Sequence, residues 1–274
     1  MKMSFKFPVV FETANTPRAA SLWVQRYQTF GHTGWKDPVI YAYDQVERLA
    51  LVRSVLPSGL PGRVALDFGC GTGDFSSLLL THGYTVHGYD PYVEPRIRSP
   101  GFSYAKALEE VHLSENGADV VLSITTLDHI LSSPELKRVL CALHNYLKSN
   151  GVLVMLEYAL DSEGDRLKWG LSKNDYQAFR TVSDWTYLLN GAGLSLASVS
   201  AAPHPTANPS QGYVAYSHSR LIRTWRKLPR RLTSRKWLQL VLRQHAKQFI
   251  PEIPGSTSLD GTSPLKLICC QRRP

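Results

Sequence analysis

Val64-Ala-Leu-Asp67-Phe-Gly69-Cys-Gly71-Thr-Gly73-Asp74, followed by His87-Gly-Tyr-Asp90, decides how this chain folds. An apolar run enters a glycine turn, and a second run ends on a carboxylate. Glycines there let backbone N–H groups meet a ligand with no Cβ in the way. Outward from this point, strands and helices alternate. Arg63–Phe68 and Gly83–Tyr89 read as strands around a helix over Asp74–His82. Phe102–Ala105 is a third strand, Ala107–Val111 a helical turn and Ala118–Ile124 a fourth strand. A helix over Pro134–Leu147, capped by Ser132 or Ser133, leads through the turn Lys148–Gly151 to a fifth strand, Val152–Glu157. A helix over Ser183–Leu189 precedes a sixth strand, Leu194–Val199, and Leu265–Cys270 is the last. This alternation predicts a doubly wound, largely parallel sheet.

Upstream, Thr16-Pro17 and Asp37-Pro38 each read as an N-cap followed by proline at the first helical position. The first helix carries Leu22, Trp23, Tyr27 and Phe30; the second runs to about Leu56, with breakers at Pro57, Gly59, Pro61 and Gly62. The chain reads as one domain over 1–274. It comprises a helical cap (1–56), a cofactor-binding core (57–203), a basic helical insertion (204–262) and a last strand (263–274).

The 274 residues are 43% hydrophobic, ample for one buried core. Cys70, Cys141, Cys269 and Cys270 make no disulfide framework, since the last two are adjacent, and a reducing cytoplasm is the expected setting. The N-terminal apolar run is too short for a signal peptide, and no run of about 18 apolar residues is present. The net charge is +9, yet residues 220–248 hold ten Lys and Arg and no acid, leaving −1 for the rest.

The glycine register is G-x-G-x-G. The dinucleotide fingerprint G-x-G-x-x-G needs glycine where this chain has Asp74. Pyrophosphate wants a helix N-terminus free of acids. S-adenosylmethionine (SAM) brings no phosphate but an ammonium and a sulfonium, so Asp67 beside the turn suits it. Asp90, closing the second strand, is placed to accept ribose hydroxyls.

On these residues the chain resembles the class I SAM-dependent methyltransferases over Tyr41 to Val199 and the final strand, most of all the small-molecule branch of the ubiquinone and menaquinone methylases. The motifs that carry it are Ala65–Gly73, Gly88-Tyr-Asp90, Ser123-Ile-Thr-Thr-Leu-Asp128-His129-Ile and Leu147–Glu157. The resemblance implies a Rossmann-like seven-stranded sheet whose last strand is antiparallel and inserted between the fifth and sixth. It implies SAM as cofactor, with S-adenosylhomocysteine as product. Asp67 and the backbone of Gly69, Gly71 and Gly73 would face its methionyl part, Asp90 its ribose, and Ala107 and Leu108 its adenine. Ser123, at the end of the fourth strand, joins the cofactor set, and Tyr41 and Tyr43 would cover it. An acid that often meets the adenine amino group is Lys106 here, leaving Glu109 or backbone contacts in its place.

For the transfer itself, His129 follows the fourth strand at its carboxyl end and has the intrinsic pKa of a base working near neutrality. Asp128 orients it or acts alone. Glu157 and Tyr158, ending the fifth strand, and Tyr216 and His218, before the insertion helices, are candidates to face substrate. No metal site is assigned. Ser123-Ile-Thr-Thr is not the Asn/Asp-Pro-Pro-aromatic motif of base N-methylases, Ser123 also departs from the ribose 2′-O set, and no cysteine follows the fourth or fifth strand for cytosine-C5 chemistry.

Residues 219–249 read as two short amphipathic helices. Leu221, Ile222, Trp225 and Leu228 line the first; Thr233 or Ser234 starts the second, which carries Trp237, Leu238, Val241 and Leu242. Three readings stand: a cap over the site, an interfacial patch giving peripheral contact with anionic lipid, and phosphate contact with RNA or a nucleotide-linked substrate. The function expected is transfer of a methyl group from SAM to oxygen or nitrogen of a small metabolite in a natural-product or saccharide pathway. The alternatives are a lipid- or nucleotide-linked precursor at a membrane surface, RNA, and a non-catalytic SAM-binding subunit. The oligomeric state is left open.

Overall fold

The computed structural model describes residues 17–57, 62–171, 176–228, 236–250 and 263–273. Its sheet is built from β1 (Val64–Phe68), β2 (Thr85–Tyr89), β3 (Phe102–Ala105), β4 (Ala118–Ile124), β5 (Leu147–Leu160), β6 (Arg180–Thr181), β7 (Leu194–Ala201) and β8 (Leu265–Arg272). The strand order is β3-β2-β1-β4-β5-β8-β7, with β6 paired to the far end of β5. β1 to β5 pair in parallel, while β8 runs antiparallel between β5 and β7.

The central strands are apolar on both faces because helices cover both. Alternate residues divide between two cores. Leu66, Val121, Leu153 and Met155 pack with helices α4 (Ser133–Tyr146) and α6 (Val182–Gly191). Ala65, Val120, Val154 and Leu156 pack with α3 (Asp74–Thr81) and with Val52 of α2 (Pro38–Val55). Asp37 caps α2 and Ser132 caps α4, each by a side-chain oxygen accepting backbone N–H.

A third core sets the roof of the site. Val39, Ala42 and Tyr43 of α2 pack against Tyr216 of α7 (Gln211–His218), Ile222 and Trp225 of α8 (Arg220–Trp225), and Leu242 and Ala246 of α9 (Lys236–Ala246). The two expected insertion helices are thus present, joined by α7, which the sequence did not announce. Their apolar faces differ from the expectation. Leu221 and Leu228 are exposed beside buried Ile222 and Trp225, and Trp237 and Val241 are exposed beside buried Leu242. Each helix is short and touches the body along one narrow line, so only one ridge is covered. Other elements shift slightly. β5 starts at Leu147, because Lys148–Gly151 is a bulge inside the ladder between the pairs Ala118–Leu147 and Val120–Val152. α1 covers Pro17–Phe30, and the short α5 covers Asp165–Lys168. The expected cap Thr16, the breakers Gly59 and Pro61, and the start of the last insertion helix at Thr233 or Ser234 lie outside the described residues.

Candidate active site

The parallel strands all deliver their carboxyl ends to one edge of the sheet, where open α/β sheets bind ligands. Gly69, Gly71 and Gly73 there have φ of +78°, +50° and +86°. A Cβ on Gly69 would run into the Thr126 side chain, whereas one on Gly71 would make only ordinary contact, 3.8 Å from Thr33 Oγ1 and 4.0 Å from the Gly69 carbonyl oxygen. The turn is fastened to β2 by Gly69 N and Cys70 N, which donate to the Tyr89 carbonyl at 2.7 and 2.9 Å.

Two connected lobes open around this turn. The smaller, of about 130 Å³, is lined by Phe68, Tyr89, Asp90, Tyr92 and Glu135; the larger, of about 450 Å³, by Trp23, Trp35, Arg48, Asp74, Tyr158 and others. Gly69, Gly71, Thr125 and His129 line both, so the lobes meet at the glycine turn and the imidazole. Asp90 enters the smaller lobe. Its Oδ1 accepts the N–H groups of Tyr92 and Val93, both at 2.8 Å, and its Oδ2 accepts that of Gly71 at 3.0 Å. A carboxylate oxygen accepts about two hydrogen bonds, so Oδ2 keeps capacity for a hydroxyl.

Acids crowd the turn. Asp67 is buried behind it and accepts from Ser76 Oγ at 2.5 Å. Burial first, and then the nearby charges of Asp90 and Asp74, push its carboxyl up to about 7. Asp67 therefore lines neither lobe, contrary to expectation; the strand end points it under α3. The acid that does line the larger lobe is Asp74. Its carboxylate meets Arg243 of α9 at 2.9 Å and accepts from Thr72, Gln45 and Tyr41. Arg243 also donates to the Tyr41 hydroxyl at 3.1 Å, and Tyr41 stacks on His32 with centroids 3.5 Å apart. A helix of the basic insertion is thereby tied to the glycine turn. Asp74 stands at the N-terminus of α3, the place a pyrophosphate would occupy, and so disfavours one. With the spare acceptor capacity of Asp90 and the aromatic walls of Phe68, Tyr89 and Tyr92 beside it, these residues fit the adenosyl sulfonium donor implied by the sequence.

His129 sits in a short 3₁₀ turn, Leu127–His129, after β4. Its Nδ1 lies 2.6 Å from the Tyr176 carbonyl, so Nδ1 carries the proton and Nε2 is left with its lone pair. Nε2 is 3.6 Å from Asp128 Oδ1. Asp128 itself is fully buried, and Gln177 donates to its Oδ2 at 2.6 Å. It backs the imidazole and does not reach the cavity. Glu157 is also fully buried and is not placed to touch substrate. Its Oε1 accepts from Ser123 Oγ and from the N–H groups of Thr126 and Leu127, all at 3.1 Å, and its Oε2 from Asp128 N. It shapes the loop that presents His129. Burial, with the Asp128 charge beside it, raises its pKa. The same loop strains Thr125, a non-glycine residue at φ +47°.

Tyr158 does line the larger lobe. His204 Nδ1 accepts the N–H of Ala207 at 3.0 Å, so its Nε2 carries the proton and donates to the Tyr158 hydroxyl at 2.8 Å. The phenol proton is then free to be offered to the cavity. Six other expected site residues lie away from both lobes. Tyr43 is buried on the opposite side of α2 against Tyr213 and Tyr216. Tyr216 is buried in that same core, and His218 lies outside both lobes, bonded to the Val214 carbonyl. Ala107 and Leu108 line neither lobe, since Leu108 turns into the core. Ser123 is buried, facing Glu157. The residues that reasoning from sequence missed are Trp23, Arg26, His32, Asp44, Arg48, Asp74 and Arg243. Of these only Asp74, inside the glycine motif, carried a local signal.

A family profile described as a methyltransferase domain matches residues 41–199. The chain belongs to the methyltransferase domain family. No curated protein matches this methyltransferase. Among solved structures it is similar to a chain from the Haloferax volcanii complex of the Trm112 methyltransferase activator with a methyltransferase (TM-score 0.55, 11% identity, covering 93% of this chain and 98% of that one). It is similar to Burkholderia thailandensis 1,6-didemethyltoxoflavin-N1-methyltransferase, solved with its acceptor and S-adenosylhomocysteine (0.51, 19%, 69% and 82%). It is also similar to Haemonchus contortus phosphoethanolamine N-methyltransferase 2, solved with S-adenosyl-L-methionine (0.52, 14%, 96% and 59%). At these identities the likeness is one of fold.

Proposed function

We propose that this methyltransferase moves a methyl group from SAM to an oxygen or nitrogen of a small metabolite in a biosynthetic pathway. The observation that supports it is the meeting of the two lobes at the glycine turn and His129, with Asp90 in one and Tyr158 in the other. Bound SAM supplies a methyl carbon activated by its sulfonium, with a leaving group that needs no protonation. The chain's own work is alignment and proton removal. Asp90 Oδ2 holds the ribose, and the backbone of the Gly69–Gly73 turn faces the methionyl part, so that the donor is oriented. His129 Nε2 takes the proton of the acceptor, and the imidazolium so formed faces Asp128. Tyr158 donates its phenol proton to a second polar atom of the acceptor.

Calorimetry with S-adenosylhomocysteine and with NADH tests the cofactor assignment. Binding of the first and not the second is expected, and Asp90→Ala should weaken it at least ~10-fold through lost charge-assisted bonds. Stabilisation by NADH alone would end the reading. A precursor held at a membrane surface is a second reading, favoured by exposed Trp237, Leu240 and Val241 on α9 in a segment without acids. Among the described residues no helix is long and apolar enough to cross a membrane. Sedimentation with anionic vesicles separates the two readings.

A further inference from the structure

We infer that the acceptor carries an oxyanion, a carboxylate or a phosphate, and that Arg26 and Lys36 in the larger lobe recognise it. This rests on the reading of that lobe as the acceptor site. Of the charged side chains lining the lobe, the acids are all committed. Asp37 Oδ1 caps α2, accepting the N–H groups of Val39 and Ile40. Asp44 is 2.9 Å from Arg48 Nε and accepts from Trp35 Nε1 at 2.9 Å. Asp74 is held by Arg243. Arg48, which lines the lobe, is thereby neutralised, as is Arg243, which does not line it. Two cations of the lining are left, Arg26 and Lys36, and among the described residues no carboxylate lies within ion-pair distance of either.

Arg26 is prepared as a binding group. Its guanidinium lies over the Trp23 indole, 5.3 Å from the ring centroid, and Nη1 donates to the Thr33 carbonyl at 3.3 Å. Its Nε is shielded from solvent and has no hydrogen-bond partner among the described residues. A half-buried, stacked guanidinium whose Nη2 bonds no described residue suits an oxygen of a carboxylate or phosphate, and its fork is already oriented. Lys36, exposed at the rim, adds a second positive charge. Trp23 also packs on His129, with centroids 4.6 Å apart. The base and the uncompensated guanidinium therefore flank one indole, and a single small acceptor can present its nucleophile to one and its acid to the other.

The test uses the full chain saturated with S-adenosylhomocysteine and two matched pairs of probes, 4-hydroxybenzoate with 4-hydroxybenzamide and phenyl phosphate with phenol. Calorimetry should show at least one anion binding about 10-fold tighter than its neutral partner, less so at higher salt. Arg26→Gln should reduce that preference to about 2-fold or less, Arg26→Lys should keep part of it, and the affinity for S-adenosylhomocysteine should not change in either. Equal binding within both pairs, survival of the preference in Arg26→Gln, or no binding of any probe at about 10 mM would each overturn the proposal. Wild-type protein that fails to bind S-adenosylhomocysteine would instead overturn the cofactor reading on which it rests.

Discussion

The guanidinium of Arg243 lies 2.9 Å from the carboxylate of Asp74, so a helix 169 residues downstream closes onto the glycine turn. The pair is about a quarter exposed on each side, which limits its worth to stability to ~1 kcal/mol. Its larger effect is on the turn, because Asp74 also gathers Thr72, Gln45 and Tyr41. Arg243→Gln should therefore weaken S-adenosylhomocysteine binding by ~3–10-fold while leaving the melting temperature nearly unchanged. A double-mutant cycle with Asp74→Asn, read by calorimetry, should show the two effects coupled. Additive losses would mean that the insertion covers the site without gripping it.

His129 offers a cleaner dissection of chemistry from binding. Its Nδ1 is tied to the Tyr176 carbonyl, and an asparagine can imitate that donor but supplies no base. His129→Asn should lower turnover by ~10²-fold or more with cofactor affinity unchanged. Full activity in this variant would assign His129 to loop structure.

Glu157 is the opposite case, a carboxylate inside the site that does no chemistry. It accepts three backbone N–H groups and the Ser123 hydroxyl while fully buried. Glu157→Gln sets an amide N–H against one of those donors and should cost ~2–4 kcal/mol in urea denaturation. An unchanged midpoint would refute its role as the scaffold of the Leu127–His129 turn.

What was legible follows from what is local. Strands buried on both faces read as continuous apolar runs, so β1 and β4 were placed to within one residue. β6 has two residues and no period to detect. α7 hides because it is only eight residues long, carries Gly212 in its first turn and buries Tyr216 alone, so it shows no helical period. Tyr41 and Tyr43 were both expected to cover the cofactor, yet two helical positions are about 200° apart, so one of them had to face away. The site was half legible. Gly69, Gly71, Asp90 and His129 belong to contiguous motifs at strand ends. Arg48 and Arg243 come from helices brought together by the third core, and Arg26 from α1, whose docking no spacing in the sequence announces.

The last expectation concerns pH. His204 is almost wholly buried, and its Nδ1 accepts the N–H of Ala207, so a second proton would break that bond. Burial and the Arg48 charge hold its pKa down to about 4, from an ordinary value of 6.5. His32, stacked on Tyr41, is lowered to about 4 by burial and by the Arg243 charge. In both cases the folded state refuses a proton that the unfolded chain accepts. Their contribution is complete above pH 6.5 and is lost as pH falls from about 6.5 to about 4. The unfolding free energy from urea should thus drop between pH 7 and pH 5. His204→Gln keeps an N–H for Tyr158 but cannot titrate, and it should shrink that drop by ~1–2 kcal/mol. A drop of unchanged size in His204→Gln would mean that His204 is protonated in the fold, and the hydrogen-bond direction assigned to Tyr158 would fall with it.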